Sequence, residues 1–117
     1  AYAMWLIRQQ QHDDALIYLE RAFTTAPNDP YNAYLYALGL NGMGRTEAAL
    51  DLLADLSTTS TYTQEVHLLH TTIARDDART NPASLRLALR LAETLVQREP
   101  TNPNYQSLLR EIMALAQ

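Results

Sequence analysis

Two histidines, His67 and His70, stand three residues apart, and on a helix that spacing puts both imidazoles on one face, half of a metal site. No third ligand stands at a useful spacing. Asp13-Asp14 and Asp76-Asp77 are paired carboxylates, the groups that acid–base catalysis or calcium binding would use. Both pairs fall at or near expected helix starts and turns, where a carboxylate favours the positive end of a helix dipole, so a structural role is expected for each. No G-x-S-x-G, glycine-rich phosphate loop or nucleophile–base pair is present, and Gly42-Met43-Gly44 reads as the left-handed end of one helix before the next. The expectation is a protein that is not an enzyme and needs neither cofactor nor metal.

The elements that would position these side chains are helices. In Asp13 to Phe23, Ala15, Leu16, Leu19, Ala22 and Phe23 recur at spacings of three and four and form one apolar stripe. No segment keeps up strand alternation. Stop signals lie at residues 26–30, at 42–44, in the Ser/Thr run 57–61, at Asn81-Pro82 and at 99–103. Proline in a first helical turn loses no hydrogen bond, so Pro30, Pro82 and Pro103 mark helix starts. Seven helices follow, at about 1–10, 12–25, 30–43, 45–57, 62–76, 82–98 and 103–116.

Composition narrows the function further. The 117 residues make one domain, 47% hydrophobic with three glycines and five prolines, enough to bury a core. Nine basic and thirteen acidic side chains are interspersed, for a net charge of −4, so no basic stripe exists for nucleic acid. Apolar stretches such as 33–40 are far shorter than the roughly 18 residues of a membrane span, which argues against membrane insertion. With no cysteine, disulfides and thiolate metal sites are excluded. No signal peptide is read, and an opening in mid-pattern at Ala1-Tyr2-Ala3-Met4-Trp5 suggests a piece of a longer protein.

Small residues set a ruler along the chain. Ala3, Ala37 and Thr71 are spaced by 34 residues, each in the first helix of an expected pair, and Ala15 and Ala49 in the second helices are again 34 apart. Two helices cross closely only where one presents a small side chain, so alanine at a fixed period predicts a repeating crossing. Ala88 follows Ala49 by 39, and the five extra residues are expected near the polar stretch 76–82, where a longer turn adds little closure entropy.

On these residues the chain resembles the tetratricopeptide repeat family, whose 34-residue unit is a helix–turn–helix. In the second repeat the match lies in Tyr36-Ala37, Leu40, Gly44, Ala49, Leu53 and Leu56; in the first, in Tyr2-Ala3, Leu6, Ala15, Leu19, Ala22 and Pro27. The third matches at His70-Thr71, Ala74, Ala88, Ala92, Leu95 and Pro100, with both histidines in slots facing neighbouring helices. Thr61 replaces a terminal proline and Gln10 a turn glycine. The resemblance implies an all-α, right-handed superhelical array of antiparallel hairpins, one domain over 1–117 with repeats at about 1–29, 30–63 and 64–102. Arg110 in the last small slot implies that 103–117 is a capping helix. A second likeness, in 26–56 and the lengthened third repeat, is to arrays that accompany multihaem cytochromes of Gram-negative bacteria. With no Cys-x-x-Cys-His of its own, the chain would at most be an accessory segment in that setting, and the likeness favours the periplasm over the cytoplasm.

The family's concave groove would be lined by Met4, Ile7 and Arg8, by Tyr31, Tyr34, Leu38 and Asn41, and by Leu68, Thr72 and Arg75. Tyrosines, a methionine and two arginines have the composition of a peptide-binding surface, with the arginines free to meet carboxylates. The expected function is a protein–protein interaction scaffold holding a protein or peptide segment in that groove. The alternative is a purely structural C-terminal solenoid segment of a larger envelope or redox-associated protein. An exposed face around Trp5 would also permit self-association.

Overall fold

The computed structural model describes the backbone from Tyr2 and the side chains from Asp14 through Gln117. Six α-helices make up the fold: α1 (Tyr2–Thr25), α2 (Pro30–Gly42), α3 (Thr46–Leu56), α4 (Gln64–Asp77), α5 (Pro82–Arg98) and α6 (Pro103–Leu115). No strand occurs among the described residues. No helix among them is long and apolar enough to cross a membrane.

Three helices start with the same local device. Asp29, Asn81 and Asn102 sit in extended backbone, each followed by proline, and each side chain accepts an N–H of the first turn. The distances are 3.0 Å from Tyr31 N, 3.1 Å from Ala83 N and 2.9 Å from Asn104 N. Donors that the helix cannot satisfy internally are thereby satisfied, and proline presets the first φ. At the other end of α2, Arg45 N donates to Leu40 O and Gly44 N to Asn41 O, with Gly44 at φ +79°. That pair of bonds is a Schellman turn, and the positive φ is why glycine stands there.

The chain packs as two compact units, residues 1–66 and 67–117, with the boundary inside α4. In the first, α1 and α2 run in opposite directions, with Asn32 Nδ2 donating to Ala22 O at 3.3 Å and the Phe23 and Tyr36 rings 5.6 Å apart. A Cβ at Gly39 would lie 2.9 Å from Leu19 Cδ1, so a side chain there would require the end of Leu19 to move. α2 packs in turn against α3, and Leu16, Ala33, Ala37, Leu40, Ala49, Leu53 and Leu56 form the core. Thr61, also buried, donates its hydroxyl to Pro27 O at 3.4 Å. In the second unit Leu69, Ile73, Ala74, Ala88, Leu91, Ala92, Leu95, Tyr105, Leu108 and Ile112 are buried, and α5 packs along α6. Ala37, Ala49, Thr71 and Ala88, the ruler residues from α2 onward, have no exposed surface.

The expected pair of helices at 1–10 and 12–25 is instead the single helix α1. Gln9-Gln10-Gln11-His12 contains neither glycine nor proline, and glutamine is a good helix former, so nothing there interrupts the hydrogen-bond ladder. Without a chain reversal, Ala15 is exposed rather than buried between helices. Ala3 lies outside the described side chains. The five extra residues are also distributed differently from the expectation of a longer turn. Set on Thr71 and Ala88 against Ala37 and Ala49, one lengthens the end of α4, one the turn, and three the start of α5.

Ala37→Leu and Ala88→Leu are each expected to destabilise the protein by about 1–3 kcal/mol through overpacking. Ala15→Leu should stay within about 0.5 kcal/mol. Urea unfolding followed by circular dichroism makes the comparison, and equal losses at Ala15 and Ala37 would contradict the exposed position of Ala15.

Candidate functional site

The faces of α2 are assigned by what they touch. Ala33, Ala37 and Leu40 point into the core, while Asn32, Tyr36 and Gly39 meet α1. Burial raises the Tyr36 hydroxyl pKa, the Glu20 carboxylate adds to the rise and Arg45 opposes it. With 3.6 residues per turn, the remaining face carries Tyr31, Tyr34, Leu35 and Leu38. Tyr31 is 68% exposed and Leu38 45%, with Tyr34 and Leu35 half-buried between them. An apolar stripe two turns long therefore faces outward on a helix that carries no charged side chain. Leu35 is absent from the expected groove, yet it stands four residues after Tyr31 and three before Leu38, so helical spacing alone could have found it.

The other expected groove residues fare differently. Asn41 Oδ1 accepts the Thr46 hydroxyl at 2.9 Å, so this side chain locks the α2–α3 turn. In the second unit Leu68, Thr72 and Arg75 share one side of α4, all half-buried. Thr72 donates back to Leu69 O, and Arg75 pairs with Asp76 at 3.1 Å and with Glu111 at 3.0 Å. Such exposed pairs add little stability, but they occupy the guanidinium fork that a ligand carboxylate would need. Met4, Ile7 and Arg8, with Trp5, lie outside the described side chains.

Geometry places the titratable groups in structural roles. Asp14 is exposed in the middle of α1, away from any helix start, which corrects the expectation for that pair; Asp13 lies outside the described side chains. Asp76 and Asp77 diverge: Asp76 pairs with Arg75, while Asp77 accepts the Ser84 hydroxyl at 2.5 Å and the Asn81 amide at 3.2 Å. Asp77 ends α4, the unfavourable end of its own dipole, and these bonds tie it to the first turn of α5, where negative charge is favoured.

His67 and His70 are each only 2% exposed. His67 Nε2 lies 3.1 Å from Leu91 O, and a carbonyl only accepts, so the ring proton is on Nε2. Burial lowers the His67 pKa; the Leu91 bond opposes that shift and Arg98 adds to it. Burial, with His67 and Arg90 adding, lowers His70 to about 4. Both rings are neutral at pH 7, and no group of three His, Cys, Asp or Glu among the described residues could hold a metal ion.

Comparison of the chain with models of protein families, with curated proteins and with solved structures finds no match.

The His70 shift dictates a pH dependence of stability. Its folded pKa of about 4 lies below the ordinary histidine value of 6.5, so as pH falls the unfolded chain takes up the proton first. The stabilisation is complete above pH 6.5 and declines toward pH 4, by about 3 kcal/mol in total. Urea unfolding at pH 7 and pH 4 is expected to show that decline, and His70→Leu to remove most of it. An unchanged slope in the variant would place the acid sensitivity elsewhere.

Proposed function

We propose that this chain is a tetratricopeptide-like interaction scaffold whose exposed α2 stripe docks a segment of another protein. The repeat reading draws support from the buried small residues at Ala37, Ala49, Thr71 and Ala88, and from the glycine turn between α2 and α3. In that reading the fused first helix departs from the repeat, and α6 carries an exposed Arg110 where Ala37 stands in α2.

The docking role rests on one observation, the outward stripe of Tyr31, Tyr34, Leu35 and Leu38 on a helix otherwise engaged in packing. Tyrosine and leucine there bury much apolar area against a partner at small entropic loss, the profile of an interface anchor. Two turns of stripe suit the helix-in-groove mode, in which residues spaced by three, four and seven supply the contacts. The scaffold performs no chemical step in this reading and uses no cofactor.

Because Tyr31 and Leu38 are largely exposed, Tyr31→Ala/Leu38→Ala should change folding stability by no more than about 0.5 kcal/mol per site. Partner binding should weaken by more than about 2 kcal/mol, roughly 30-fold in Kd. Affinity capture with the full-length protein, with Kd measured for the recovered partner, reads both. A folded double variant that captures the same partners with the same affinity removes the docking role and leaves the chain a structural element.

A further inference from the structure

The two compact units differ sharply in charge. Residues 1–66 hold eight acidic and three basic side chains, a net −5, whereas residues 67–117 hold five and six, a net +1. Neither of the ion pairs found among the described residues lies in the first unit; both are on Arg75. Glu47, Asp51 and Asp55 run along the exposed side of α3 at spacings of four, and Asp29 stands exposed at the head of the α2 stripe, beside Tyr31. The stripe itself is neutral, so an apolar strip with one exposed carboxylate at its head belongs to a unit of net negative charge.

Resting on the docking role of that strip, we propose that its partner is a basic amphipathic segment: apolar residues at helical spacing, flanked by lysine or arginine. A net charge of this sign raises the encounter rate of cationic segments and repels anionic ones. The sequence-level expectation of arginines meeting partner carboxylates runs the other way. Arg75 is already held by Asp76 and Glu111, and the unit that carries the strip has few cations to offer. A second copy is a poorer occupant on the same ground, because strip-to-strip pairing would bring −5 against −5. Length is set by the strip, where Tyr31 to Leu38 spans about 10 Å, two helical turns.

Three synthetic 14-residue helical peptides test this, with identical leucines and a tryptophan at positions spaced by three, four and seven, and with lysine, glutamate or glutamine elsewhere. Fluorescence anisotropy gives their affinities for the 117-residue chain at about 50 and 300 mM salt. The lysine peptide is expected to bind at least about tenfold tighter than the glutamate peptide at low salt, with the gap narrowing at high salt. Tyr31→Ala/Leu38→Ala should weaken lysine and glutamine peptides alike. Glu47→Gln/Asp51→Asn/Asp55→Asn, at exposed positions, should shrink the lysine preference several-fold and leave the glutamine peptide unchanged. Equal binding of lysine and glutamate peptides, both lost in Tyr31→Ala/Leu38→Ala, overturns the charge assignment and leaves the docking face standing. Lysine-peptide binding indifferent to Tyr31→Ala/Leu38→Ala shows attraction without docking and also overturns it. No binding by any peptide removes the docking role itself, and a dimer that dissociates on Tyr31→Ala/Leu38→Ala assigns the strip to a second copy.

Discussion

Close approach of helices at side chains of minimal size is the constraint on which the rest depends. Ala37 and Ala49 leave no surface to solvent, and at Gly39 even a methyl group would press on Leu19. Rotation of α2 is opposed, because turning it would drive a larger side chain into the core in place of Ala33 and Ala37. The orientation of α2 is thereby set by the small residues on its buried side. Tyr31, Leu35 and Leu38 face outward because Ala33, Ala37 and Gly39 cannot be exchanged for them.

Local termini hold the ends of these helices in place. Three Asx-Pro starts and one Schellman turn satisfy backbone groups that would otherwise lie open where the chain reverses. In the second unit the same logic extends to ionisable groups. Asp77 is tied to Ser84 and Asn81, and His67 donates to Leu91 O, so polar side chains link α4 to α5 across the apolar contact. Their directionality adds what hydrophobic burial lacks, a preference for one register.

How much of this was legible in the residues varies along the chain. From Pro30 onward the elements could be read closely, because each boundary carries its own local chemistry: proline after Asp or Asn, glycine at a positive φ, a polar run. The N-terminal pair failed for the complementary reason. A 34-residue spacing implied a turn near Gln10, but spacing records only where a reversal would fit, and no residue there enforces one. Placing Ala15 in a core depended on that reversal and failed with it. Among the expected groove residues, Tyr31, Tyr34 and Leu38 do share one outward side of α2, as helical spacing requires. The bonds of Asn41 to Thr46 and of Arg75 to Glu111 were not legible in the sequence, because such partners are set by tertiary proximity.

Tyrosine in the strip bears on how such a surface can persist without a partner. A helix apolar on every side is normally buried all round, and α2, with no charged residue, comes close to that pattern. Two of its four outward residues are tyrosines, whose hydroxyls remain hydrated while the ring supplies apolar area. The net negative charge of the first unit adds to this protection, since like charge opposes the face-to-face contact that an exposed apolar patch otherwise invites. Solubility alone and cation-selective docking alone would each favour the same arrangement, so the strip and the charge of the first unit do not separate the two, and only the dependence of binding on peptide charge does.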